Sequence, residues 1–401
     1  MATRPFLPVV FAAVLSAVAF AAAVGAAAAQ TVHCVPAAAP GCDVVHAAVQ
    51  DAIDAAAAGD IVRVSGVQTI PGPACFNGAV CIAADKTGLQ LLGEPGAAID
   101  VAGVARYGLL VEASGVTIAG LHVRGVSPCC SQGAAILLAG DDATVTGNVL
   151  EGPGTSFGAR QHFGILAQRC GPLGPLSGTV ISGNEAFGWN WGGISVGGPV
   201  GCADGGHVEA NRVHGSKAHG IAVDRTPGVV VRDNDVTGII ADGDLGAAIA
   251  VYGAQAAGTA IDGNRVSAGL QGVLLGSTTL VTLNANRIDG NAIGILVRVE
   301  PWLLNRAPLQ SADLMQLRTR HDAIDANEAG IVNAAEGALG NGSAPVTTAV
   351  VATCDWWGHA TGPGHADNGP GSGDVVTDHV VYRPWLRHAP EHGSLGHCRD
   401  D

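Results

Sequence analysis

The chain has 401 residues, room for one large domain or two ordinary ones. Apolar residues make up 48% and charged ones 13%, which excludes a disordered chain, while aromatics at 4% leave Val, Ile, Leu and Ala to build the core. A net charge of −14 excludes a basic nucleic-acid-binding face, and an anionic polymer would need a local basic cleft or bridging cations.

Residues 1–29 read as a secretory signal. Arg4 supplies the positive start, an apolar run follows, and Ala27-Ala28-Ala29 before Gln30 fits a small-residue cleavage site. The expected product is secreted, periplasmic or extracellular, and monomeric. No later stretch is long and apolar enough to span a bilayer. All ten cysteines follow the signal: Cys34, Cys42, Cys75, Cys81, Cys129, Cys130, Cys170, Cys202, Cys354 and Cys398. An even number in an exported chain favours disulfides. Cys34–Cys42 and Cys75–Cys81 are local candidates. A bond between the neighbours Cys129 and Cys130 would be strained, so other partners are expected for them.

Residues 30–60 are expected to hold an N-terminal segment and a capping helix. Val45, Val49 and Ile53 recur at helical spacing, Asp43 is a candidate N-cap and Gly59 ends the segment. Ile61-Val62-Arg63-Val64 then begins a strand.

Residues 61–353 carry a repeat. "VTGNVLEG", "ISGNEAFG", "VEANRVHG", "VRDNDVTG", "IDGNRVSA", "LNANRIDG" and "IDANEAG" align on Asn148, Asn184, Asn211, Asn234, Asn264, Asn286 and Asn327. An earlier copy, "IAGLHVRG", has Leu121 in that place. The spacings from Leu121 onward are 27, 36, 27, 23, 30, 22 and 41. A second phrase follows each copy, a small residue and then alternating apolar positions, at Ile165, Ile194, Ile221, Ile249, Val273 and Ile295. Period-2 alternation and Gly in every segment exclude helical repeats. The pattern predicts a parallel β-helix, a single-chain solenoid whose equivalent residues stack about 4.8 Å apart. The asparagines are then a structural ladder. Each is expected at a tight turn, tolerating left-handed backbone geometry and bonding its neighbours through the amide. Asn291 falls in a connection and reads as a turn residue.

Residues 354–401 are expected to form a C-terminal cap and tail. Trp356 and Trp357 would plug the last coil, with Trp385 and Leu386 closing it. The Ala-rich helix, "GDIVRV", "GVTIAGLHV" and the stacked "GN" turns resemble secreted right-handed parallel β-helix proteins of the pectate-lyase-like superfamily. "CDWWGHATGPGHADNGPGSGDVVTDHVVYRPWL" is similar to an ending of exported bacterial members, with Asp355 where those often have Asn. The resemblance spans residues 43–386. It implies an all-β, right-handed coil capped at both ends. It implies no single activity, because such folds host lyases, hydrolases, epimerases, adhesins and scaffolds. The Asp-Pro-His-Glu signature of mannuronan epimerases and the paired-Asp signature of polygalacturonases are missing.

Aligning the second phrase gathers a candidate groove. Arg160, His162, Trp189, Trp191 and Tyr252 are its expected ligand-binding residues. His219 or Asp224 is a candidate base, and Lys217 or Arg225 a candidate to neutralise a uronate. The insertions 152–161 and 239–245 would wall the groove. Asp233-Asn234-Asp235 and Asp242-Gly243-Asp244 could offer oxygen ligands to calcium, but no cofactor or metal site is assigned. The leading expectation is an exported protein binding a polysaccharide or cell-surface glycan. A polysaccharide lyase, glycoside hydrolase or epimerase, and a structural or adhesive protein without catalysis, stay open beside it.

Overall fold

A computed structural model describes residues 30–37, 39–129, 131–156, 161–278, 280–300, 315–335, 348–390 and 398. The proposed signal and Arg160 lie outside the described residues, as do Cys130, His392 and His397. Each coil supplies one strand to each of three sheets. In one coil these are Val180–Ser182, Glu185–Phe187 and Gly192–Gly197. Among the described residues the first sheet has fourteen strands and the other two have ten each, every strand parallel to its neighbours. The chain is a right-handed parallel β-helix. No described helix is long and apolar enough to cross a membrane.

The core is a set of apolar columns. Val80, Leu109, Ile136, Ile165, Ile194, Ile221, Ile249, Val273, Ile295 and Ile331 lie in register along the third sheet and are all fully buried. The small residue before each has a steric cause. A Cβ on Gly193 would lie 2.2 Å from Cγ1 of Val213, and one on Gly220 would lie 2.3 Å from Cγ1 of Val236. The third strand approaches the second too closely there for anything larger than the methyl that Ala79, Ala135 and Ala248 carry at the same place in other coils.

The asparagine column runs between the first and second sheets. Nδ2 of Asn148 donates to Oδ1 of Asn184 at 3.0 Å. Asn184 donates likewise to Asn211, Asn211 to Asn234, Asn234 to Asn264 and Asn264 to Asn286, at 2.9–3.0 Å. Each oxygen also accepts the backbone N–H of the preceding member, as Asn264 does from Asn234 at 3.0 Å. Three expectations need correction. Left-handed geometry belongs to the residue before the asparagine: Gly147 (φ 63°), Ala210 (φ 54°) and Ala285 (φ 56°) adopt it, and the asparagines do not. Asn is therefore held by its amide chemistry, which Leu121 lacks at the start of the column. Secondly, Asn327 is not the next rung. Asn286 donates to Oδ1 of Asp322 at 2.8 Å, and Asp322 is followed by Asp355. Thirdly, Asn291 is more than a turn residue. It starts a second column, donating to Asn327 at 3.1 Å, and Asn327 donates to Asp374 at 2.8 Å.

At the N-terminal end the helix is shorter than its periodicity suggested. It spans Val49–Ala55, buries Val49, Ala52 and Ile53, and packs against strands Val32–Val35, Ile61–Val64 and Gly78–Ile82. Asp43 does not cap it: Ala48 holds the cap position, and Asp43 accepts the N–H of Val32 at 2.8 Å. Val45 pairs as a strand residue with Cys34 and is exposed, so it is not part of the helix. In the last coil Trp357 is fully buried, and a Cβ on Gly330 would lie 3.2 Å from its ring. Leu386 is buried, while Trp385 lies half-buried over Gly362. Disulfides join Cys34–Cys42, Cys75–Cys81, Cys170–Cys202 and Cys354–Cys398.

Candidate functional site

The third sheet turns three columns of side chains outward. Relative to the core residues Ile165, Ile194, Ile221 and Ile249, they stand two positions before, one after and three after. The first column reads Phe163, Gly192, His219, Ala247, and the second Leu166, Ser195, Ala222, Ala250. The third contains Gly197, Asp224 and Tyr252 in register. Period-2 geometry puts the second and third columns on one face, and the first joins them because the small residue before the core position also faces inward and breaks the alternation.

A cleft of about 810 Å³ opens on that face. Trp191, His219, Asp224, Arg225 and Tyr252 line it together with Gln132, Gln161, Phe163, Gln168, Ser195 and Leu245. At its centre are three rings from consecutive coils. The indole of Trp191 meets the imidazole of His219 edge-on, with centroids 6.1 Å apart and planes at 87°. Tyr252 meets the other side of His219 at 5.4 Å and 66°, and its hydroxyl lies 3.3 Å from Nε2. Tyr252 reaches His219 because the outward positions between them are Ala222 and Ala250. It lies against Gly276, where a Cβ would come within 2.6 Å of the phenol ring.

Burial, and then the charge of Arg298, hold the His219 imidazole down at about 4. Burial, and then the carboxylate of Glu300, push the Tyr252 phenol well up. At neutral pH the imidazole is uncharged and the phenol keeps its proton. The phenol and Nε2 share one hydrogen bond whose direction follows the imidazole tautomer, and the other ring nitrogen is Nδ1. That buried atom has no hydrogen-bond partner among the described residues. Beside the rings, Arg225 donates from Nε and Nη2 to the two oxygens of Asp224, both at 2.8 Å.

The remaining candidates stand elsewhere. Trp189 is fully buried: its indole sits inside the coil and donates from Nε1 to the carbonyl of Leu150 at 3.0 Å. Trp189 precedes the third strand on the inward side, so the two-residue step from Trp191, which suggested neighbours on one groove, does not carry it to the cleft. His162 is fully buried, lies 3.2 Å from the carbonyl of Cys129 through Nε2, and is not among the residues lining the cleft. Lys217 pairs with Asp242 at 3.0 Å and does not line the cleft either. Asp244 pairs with Arg298 at 2.9 Å, so both carboxylates of the loop considered for calcium are engaged by cations. Asp233, in the other such stretch, lies 3.7 Å from Arg232. No cluster of three or more metal-ligating side chains occurs among the described residues. Sequence reasoning missed Phe163, Gln168 and Ser195. The signal was present, since each occupies an outward position at a fixed step from a core isoleucine.

The fold and cleft define a solenoid protein with a cleft on one sheet. No family model matches the chain, and no curated protein matches it. Among solved structures it is similar to the mannuronan C-5 epimerase AlgE4 A-module of Azotobacter vinelandii, at 13% identity and a TM-score of 0.49, over 85% of this chain and 93% of that one. It is also similar to the periplasmic alginate epimerase AlgG, at 13% identity and 0.42, over 69% and 74%. The catalytic unit of a GH87 alpha-1,3-glucanase from Streptomyces thermodiastaticus matches at 13% and 0.41, over 86% and 67%.

Proposed function

We propose that this chain is an exported protein that binds a carbohydrate polymer across the outward face of its third sheet. The observation that carries the reading is the Trp191–His219–Tyr252 stack, one ring from each of three successive coils, inside a cleft edged by amides and hydroxyls. Coils rise about 4.8 Å, close to the length of a sugar unit; the half-buried Trp191 offers the stacking ring, while His219 and Tyr252 are buried beside it. Pockets of this volume with a few placed polar groups are typical of ligand sites. Four disulfides fit an oxidising compartment. His219 and Tyr252 are both held far from titration at neutral pH, so they supply hydrogen bonds and surface more readily than proton transfer.

Affinity electrophoresis of the mature protein against a panel of soluble polysaccharides tests this. Retardation by at least one polymer, lost in Trp191→Ala, is the expected result. Indifference to the whole panel would remove the reading. Release of an unsaturated or shortened product would replace it with catalysis.

A further inference from the structure

The cleft contains one cation among its described lining residues, and that cation is already neutralised. Arg225 is 5% exposed and forked onto Asp224 through two hydrogen bonds of 2.8 Å. Near the cleft, Arg106 lies over the Tyr107 ring at 4.8 Å with no ion pair among the described residues, while other described cations around the cleft are paired. Lys217 pairs with Asp242, Arg169 with Asp141 at 2.8 Å, and Arg298 with Asp244 and Glu300. What remains for a ligand is uncharged: the amides of Gln132, Gln161 and Gln168 and the hydroxyl of Ser195.

We infer that this cleft, taken as the carbohydrate site proposed above, selects neutral sugars over uronates. A polyuronate brings one carboxylate per residue. Each loses water on entering, and such a loss is compensated only by a cation or several aligned donors. The lining supplies no unpaired cation, and its aligned donors on successive coils are the single amides of Gln132 and Gln161. The whole-chain charge of −14 adds a long-range repulsion toward polyanions. Sugar hydroxyls, in contrast, both donate and accept, and match amides and a serine hydroxyl.

The test uses the mature full-length protein at neutral pH, with glucomannan, xyloglucan and an α-1,3-glucan against alginate and polygalacturonate. Each is measured with calcium present and with a chelator. We expect a neutral polymer to bind at least about tenfold more tightly than either uronate in both conditions. Uronate binding of equal or greater strength in either condition, abolished by Trp191→Ala, would overturn the selectivity and leave the cleft reading intact. Binding of no polymer in either class would overturn the cleft reading itself. Asp224→Asn supplies a second arm. It removes the carboxylate charge that neutralises Arg225, and uronate affinity is expected to rise about tenfold. A variant with an unaltered melting curve and unaltered uronate affinity would overturn the role given to the pair, and the wild-type panel decides the selectivity even if the variant unfolds.

Discussion

The backbone N–H of Asp322 donates to Oδ1 of Asp355 at 2.9 Å, and both side chains are completely buried. Higher in the same column an asparagine holds each rung and adds a second bond from Nδ2. Asp322 puts Oδ2 there instead, and that oxygen has no hydrogen-bond partner among the described residues.

Burial, and then the carboxyl of Asp355, push Asp322 well above the usual carboxylate range, and burial pushes Asp355 up to about 7. A carboxyl whose folded value is raised stabilises the protein fully below its unfolded value of 3.8. That contribution is lost as pH rises through the folded value. Asp322→Asn restores an amide donor and cannot ionise. It should stabilise the protein by about 1–3 kcal/mol near pH 8, and by less near pH 4. Thermal melts at the two pH values check this. Equal shifts at both would contradict the account.

Asn264 accepts from the backbone and side chain of Asn234 and donates to Asn286 and to the carbonyl of Val231. Asn264→Leu has similar volume and none of these bonds. It should lower stability by about 1–3 kcal/mol, the cost of leaving a buried amide unsatisfied. Chemical denaturation measures the change.

Two tryptophans two residues apart should behave in opposite ways. Trp189→Ala empties a fully buried site and is expected to cost about 3–5 kcal/mol. Trp191→Ala removes a half-buried ring from the cleft. It should weaken polysaccharide binding with little movement of the melting temperature. Finding the stability loss in Trp191→Ala instead would make that ring part of the wall.

Acid should unfold the protein partly through His219. Its imidazole falls from 6.5 to about 4 on folding. The unfolded chain therefore binds the extra proton first. Stability is complete above pH 6.5 and declines as pH drops from there toward 4, by on the order of 3 kcal/mol. Because the carboxyls discussed above work in the other direction, the clean measurement is a difference. The stability of wild type minus that of His219→Gln should fall across this window and stay flat above it.

The repeat was legible because a β-helix writes its cross-section into the chain once per coil. Asn at one corner, a small residue and then isoleucine at another were enough to give the coil and its core columns. The last rungs were misread for a physical reason. Asp322 and Asp355 make some of the same backbone bonds as Asn, so the column continues through a residue type that an asparagine search passes over. Asn327 was assigned to the wrong corner because two columns use the same residue. At the cleft, Trp191, His219, Asp224, Arg225 and Tyr252 converge as their positions in the repeat suggested. Trp189 failed because sequence proximity to the third strand does not say which side of the wall a loop residue enters. The short distances within the Asp224–Arg225 pair, which decide the charge of the site, were not legible from two adjacent letters.

Asn148 and Asn184 stand 36 residues apart in the chain and Asn264 and Asn286 only 22, yet both pairs meet at 3.0 Å. Chain length and height are thus independent quantities. A loop grows or shrinks at the flank without disturbing the spine, which alters the reach of the walls. Whole coils obey a different rule. Excising residues 264–285 would bring Asn286 directly beneath Asn234, with Gly263 supplying the left-handed turn before it. Such a change alters only how many turns the spine has. Inheritance therefore has two separate dials on this molecule, one for the reach of its loops and one for the number of its coils.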